Sequence, residues 1–196
     1  SFDAGLDLKV RPIPGLTVTA TINPDFGQVD ADPAFVNLTA YEVQLPERRP
    51  FFVENNSLFG DTFGQYFYSR RIGGLPLQQP VADEVALANP VRILGALAAG
   101  GYVASRTQLA VLGAVTDQAT AEAIVAGTRR PLVVAPLSAW GAGRVEQQVG
   151  ASVFGATATA VGRDLAGTGL ESLLASSAFV GGADAKLRDS GGTYDV

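Results

Sequence analysis

The chain contains no cysteine, no histidine and no methionine. Without cysteine there is no disulfide framework and no thiolate chemistry. Without histidine there is no Ser-His-Asp triad, no imidazole zinc site and no general base of the usual kind near neutral pH. Without an initiator methionine, 196 residues running from Ser1 to Val196 read as a piece or a processed segment of a longer chain. Basic residues are also scarce: 14 Lys and Arg against 19 Asp and Glu give a net charge of −5. Nucleic-acid binding requires clustered cations that displace counterions, so a nucleic-acid partner is not expected.

Charge of either sign is thin, at 17% of residues against 47% hydrophobic, where soluble domains carry about 25% charged residues. Yet no run reaches the roughly 18 apolar residues of a membrane helix. The longest weakly polar stretch, Val91 to Ala104, is broken by Arg92, Gly100, Gly101 and Tyr102. Two architectures accommodate such a chain. One is a buried soluble core. The other is a membrane β-barrel, which spreads its apolar residues over every second position.

The alternation is explicit near the start. Ala4, Leu6, Leu8 and Val10 oppose Asp3, Gly5, Asp7 and Lys9. Leu16, Val18, Ala20 and Ile22 oppose Thr17, Thr19 and Thr21. A period of two marks strands, and Pro12-Ile13-Pro14-Gly15 between them marks a hairpin turn. Later strands are expected at Val91 to Ala99, Gln108 to Thr116, Ala139 to Val149, Ala151 to Ala160 and around Phe179 to Arg188. Turns are expected at Gly162-Arg163-Asp164 and Asp189 to Gly192. The Ala-rich Asp117 to Gly127 stretch suggests a short helix or ordered loop, and Leu75 to Asn89 a loop. Asp32 and Pro33 suit the start of a helix over Ala34 to Val43, while Pro46 and Pro50 are expected to stop regular structure.

Between Asn23 and Gly74 aromatic and charged residues crowd together. Three strings stand out: Asn23-Pro24-Asp25-Phe26-Gly27-Gln28-Val29-Asp30-Ala31-Asp32, Pro46-Glu47-Arg48-Arg49-Pro50-Phe51-Phe52-Val53-Glu54, and Phe67-Tyr68-Ser69-Arg70-Arg71-Ile72-Gly73. With Asn37-Leu38 between the first two, they resemble domain-of-unknown-function family 5916. This sequence has Asp30 where the family pattern has Glu, and Asn55 after Glu54 where it has Gly. The resemblance implies the start of an outer-membrane β-barrel region, one that usually follows a family 9 carbohydrate-binding-like module. That module is not in this chain, and its activity does not carry over.

Any chemistry is expected in this central segment. Glu42, Glu47 and Glu54 can pair with Arg48, Arg49, Arg70 and Arg71 in a charged cluster lining a barrel lumen. Such a network can equally well do no more than fix an inward loop. Asp25, Asp30 and Asp32 offer oxygen ligands but follow no calcium-loop spacing, and capping or turn formation accounts for them. Glu47 and Glu54 could act as a hydrolytic carboxylate pair, but neighbouring arginines would lower the pKa that a general acid needs raised. Ser69 has no adjacent base, the only lysines being Lys9 and Lys186. The run Phe63 to Tyr68 could stack on sugar rings, pack a plug or sit at a membrane interface.

The expected fold is all-β and mainly antiparallel: a partial outer-membrane β-barrel with an irregular inward-folded segment. It divides into a hairpin over 1–22, a plug-like segment over 23–74 and barrel strands over 90–196. About seven strands are legible, short of the roughly eight that close the smallest membrane barrels. The expected partners are outer-membrane lipid and a saccharide, with no cofactor and no metal. The competing reading is a soluble β-rich carbohydrate-active hydrolase domain. The two differ in where the Leu, Val and Phe faces point: against one another in a soluble core, outward as an apolar belt in a barrel.

Overall fold

A computed structural model describes residues 4–24, 45–56, 59–61, 64–65, 67–76, 82–86, 89–189 and 192–195. Its frame is one antiparallel sheet of eight strands: β1 (Leu6–Ile13), β2 (Leu16–Ile22), β6 (Ile93–Ala104), β7 (Thr107–Thr116), β10 (Ser138–Val149), β11 (Ser152–Arg163), β12 (Ser177–Asp189) and β13 (Gly192–Asp195), adjacent in that order. The sheet is open, with β1 and β13 at its edges. Two smaller sheets accompany it. One joins β3 (Gly60–Asp61) to β4 (Gly64–Gln65); the other joins β5 (Glu84–Val85), β8 (Ala119–Val125) and β9 (Thr128–Ala135). The only helix longer than one turn among the described residues is α1 (Pro50–Asn56).

Each face of the large sheet has its own chemistry. The pairing places Thr19, Ala98, Leu112, Ala142 and Thr159 in one cross-strand row, and Thr21, Ala96, Ala114 and Trp140 in the next. This face is covered. Phe52, Phe59, Phe67 and Ile72 of the central segment pack on Ala96, Ala110, Leu112, Ala114 and Ala142. Small residues on the strands leave room for the aromatic rings laid over them, and close packing without voids is what makes such burial stabilising. Thr19 and Thr21 are buried with them.

The opposite face is bare among the described residues. Leu6, Leu8, Leu97 and Phe179 are 66%, 57%, 52% and 72% exposed. Val10, Ile22, Val111, Val115, Val145, Phe154, Leu187 and Tyr194 are exposed too. Along β2 this inverts the usual soluble arrangement, for the threonines point into the packed side while Ile22 stands outside.

The connections are asymmetric. Two-residue links at 14–15, 105–106, 150–151 and 190–191 all fall at one end of the sheet. The long connections, 23–92, 117–137 and 164–176, all fall at the other. Two-residue links suit hairpins because tight turns match strand twist. The β1–β2 turn also lies against β6: the Tyr102 N–H donates to Gly15 O at 2.9 Å. A Cβ on Gly101 would collide with that carbonyl, and Gly101 has φ of 136°.

Several local expectations change. The Ala-rich 117–127 stretch is strand β8, paired with β9, which the sequence reading did not anticipate. Alanine's helix preference gives way here to hairpin pairing that continues the β7–β10 pair. Gly100 and Gly101 lie inside β6, and Arg163 ends β11 rather than making a turn. Pro50 opens α1 instead of stopping it, as suits a residue whose missing N–H costs nothing at a first helical position. The main sheet has eight strands, not about seven. The helix suggested for Ala34 to Val43 lies outside the described residues.

Candidate functional site

From Leu45 the chain crosses the covered face as Pro46 to Asn56. Glu47 and Arg49 lock this crossing to the 3-10 turn Ser69–Arg71. Arg49 donates from Nε to Glu47 Oε1 at 2.8 Å and from Nη2 to Oε2 at 2.7 Å, a forked pair. Its Nη1 and Nη2 also reach the carbonyl oxygens of Ile72 at 2.5 Å and Ser69 at 2.9 Å. Ser69 Oγ donates to Glu47 Oε2 at 2.6 Å. The backbone N–H groups of Arg48 and Arg49 donate to Oε1 at 3.1 and 3.0 Å. The Arg49 guanidinium carbon lies 4.2 Å from the Phe52 ring centroid, a cation–π contact.

Burial pushes the Glu47 carboxyl up, but the hydrogen bonds from Arg49 and Ser69, with the guanidinium charge, outweigh it and hold the pKa below the ordinary 4.5. A carboxylate so held is an anchor for backbone and side chain. It is the opposite of a general acid.

The other expected members of the cluster disperse. Glu54 pairs with Lys9 of β1 at 2.6 Å, not with an arginine, and both side chains are more than half exposed. The reason is the orientation of α1, which lies over β2 and lets Asn55 donate to Thr19 Oγ1 at 3.2 Å. Arg70 donates to the Pro46 carbonyl at 2.7 Å. Arg48 and Arg71 are exposed. Among the described residues, the tight part of the charged cluster is the Glu47–Arg49–Ser69 knot, with Arg70 tying the same two stretches through backbone. Glu42, Asp25, Asp30, Asp32, Phe63 and Tyr66 lie outside the described residues. Phe67 is buried against Phe59 at 5.5 Å between centroids, and Tyr68 Oη accepts from the Leu45 N–H at 3.0 Å.

A second charged network sits on the covered face. Arg144 of β10 is 3% exposed. It donates from Nη1 and Nη2 to the two oxygens of Asp184 on β12, at 2.7 and 2.9 Å. It also donates to Glu146 Oε1 at 3.0 and 2.8 Å, and to Thr157 Oγ1 at 2.6 Å. The strand between them leaves a gap at Gly155, which pairs with both Glu146 and Asp184. A Cβ there would stand 2.5 Å from Asp184 Oδ2 and 2.6 Å from Arg144 Nη2. The alternation places Arg144 and Glu146 on one face and Asp184 on one face, but no local pattern tells which strands adjoin.

Comparison with curated proteins and with solved structures finds no match. The family model described as a domain of unknown function (DUF5916) matches residues 1–168. That span takes in the hairpin, the Glu47–Arg49–Ser69 knot, Arg144 and Glu146 though not their partner strand with Asp184, and the three strings of the central segment, and the chain belongs to the DUF5916 family.

Proposed function

We propose that this chain forms wall and interior of an outer-membrane β-barrel, with its bare face toward lipid and the 45–76 segment folded on the lumen side. The carrying observation is the continuous apolar face from Leu6 through Leu97 to Phe179, exposed across the sheet while threonines, Arg144 and Asp184 are covered. A soluble monomer rarely exposes an apolar surface on this scale. Lipid-facing apolar residues alternating with polar lumen residues are the defining pattern of membrane barrels. Strand length agrees: β6, β10 and β11 have 12 residues each and β7 has 10, against the roughly 9–11 needed to cross a bilayer at a tilt. Short turns at one rim and long connections at the other also match that architecture.

Saccharide capture or passage is the role proposed for the whole protein. It rests on the carbohydrate-binding-like module that the family resemblance places ahead of this region. The hydrolase alternative loses its support, because Glu47 is held ionised by Arg49 and Glu54 sits beside Lys9.

Expression in bacteria followed by membrane fractionation tests the barrel. Recovery in the outer membrane, with gel mobility that changes on heating, is the expected result. A folded product that remains soluble without detergent would overturn it.

A further inference from the structure

At the end of the sheet that carries the long connections, a cavity of about 320 Å³ opens between the 68–76 stretch, the 134–140 stretch and the end of β11. An apolar cavity of roughly 150 Å³ already takes a benzene ring, so this one has room for one or two rings. Trp140, Leu75, Leu174, Val134 and Pro136 make most of its wall apolar.

The polar side chains in that wall bond to the protein itself. Trp140 Nε1 donates to Thr116 Oγ1 at 3.2 Å, and Thr116 Oγ1 donates in turn to Ser138 O at 3.4 Å. Ser138 Oγ donates to Pro136 O at 2.9 Å. Tyr68 Oη accepts from the Leu45 N–H at 3.0 Å. Arg70 donates to Pro46 O at 2.7 Å, and Arg163 to Ala175 O at 3.0 Å. The Arg163 guanidinium carbon also lies 5.8 Å from the Trp140 ring centroid. Arg70 and Arg71 have further interactions besides. A polar or charged guest must therefore compete with bonds the wall already makes, and each one broken leaves a partner unsatisfied. An apolar guest breaks none and displaces water from apolar surface. We propose that this cavity binds an uncharged aromatic molecule of one or two rings, seated against Trp140. The wall residues named belong to this chain alone, so the inference does not rest on the bare face meeting lipid.

Trp140 is the only tryptophan in the sequence, so its fluorescence reads the cavity. The full chain, folded in detergent, is titrated with bromobenzene, whose heavy atom quenches an indole in contact with it. Tryptophan octyl ester in the same detergent gives the quenching that partition into micelles alone produces. Saturable quenching beyond that control is expected, with 4-bromobenzoate at least tenfold weaker at constant ionic strength. Ala135→Phe, which places a ring in the cavity, should weaken bromobenzene at least tenfold while leaving the far-UV circular dichroism unchanged. If Ala135→Phe does not fold, Leu75→Asp decides, since Leu75 is 62% exposed and stands outside the core; it should weaken bromobenzene at least fivefold. Quenching no greater than the micelle control would overturn the proposal. So would 4-bromobenzoate binding as tightly as bromobenzene, or full bromobenzene affinity in the folded variants.

Discussion

Arg144 and Asp184 stand on strands separated by a third and still meet through two hydrogen bonds, at 2.7 and 2.9 Å, across the space left by Gly155. Arg144 has only 2% of its side chain exposed and Asp184 only 13%. Removing one partner of a buried pair leaves an uncompensated charge and costs about 3–5 kcal/mol. Asp184→Ala should destabilise toward the lower end of that range, because Glu146 and Thr157 still hold the guanidinium. Denaturant unfolding in detergent measures it.

Gly155→Ala tests the same contact from below. Its methyl group would displace both Asp184 Oδ2 and Arg144 Nη2. The single substitution should destabilise by about 1–3 kcal/mol, as overpacking does. In the Asp184→Ala background the added cost should fall well below that, and a double-mutant cycle reads the difference. Strict additivity would mean that the glycine serves some other purpose.

Glu47 gives a pH prediction with a definite sign. Its folded pKa lies below the ordinary 4.5, so the folded state binds its proton less readily than the unfolded chain. The resulting stabilisation is fully present above the unfolded value and is lost as pH falls through the folded one. The stability gap between the native protein and Glu47→Gln should be constant from neutral pH down to about pH 5–6, then narrow as the solution becomes more acid. A gap that widens in acid would contradict the lowered pKa.

Thr21 is 2% exposed, and its Oγ1 has no hydrogen-bond partner among the described residues. A buried hydroxyl without a partner carries a desolvation cost of about 1–3 kcal/mol. Thr21→Val, close in shape, should leave stability unchanged or raise it by up to about 1 kcal/mol. The neighbouring Thr19→Val removes the acceptor for Asn55 Nδ2 and should destabilise instead.

Leu97 lies on the bare face near the middle of β6. If that face meets lipid, Leu97→Lys should cost about 2–4 kcal/mol in refolding into vesicles. Facing water, the same change would fall within about 0.5 kcal/mol of neutral.

The hairpin strands were legible because alternation is local: Leu6, Leu8 and Val10 announce their face within eight residues. The membership of Glu47 and Arg49 in one knot was legible too, since they are two residues apart. Glu54 was not, because its partner Lys9 lies 45 positions earlier and only the placement of α1 brings them together. β8 was hidden by alanine, whose intrinsic preference opposes the strand that pairing with β9 imposes. The Arg144 network was hidden because strand adjacency is a long-range outcome, and Gly155 reads in sequence as a small residue among small residues.

β2 and β6 are nearest neighbours, with Ile22 paired to Gly95, although the whole 23–92 connection lies between them. The base of that loop is clasped: Arg92 donates to Asn23 Oδ1 at 2.8 and 3.0 Å, and the Asn23 N–H donates to Leu94 O at 2.9 Å. The segment over the covered face is therefore a purse closed at its neck, not a cork on a string. It cannot swing away as a terminal domain would, since both of its ends are stitched into adjoining strands. Any movement of the segment off the covered face must be a rearrangement in place, and the Glu47–Arg49–Ser69 knot is one of the stitches it would have to undo.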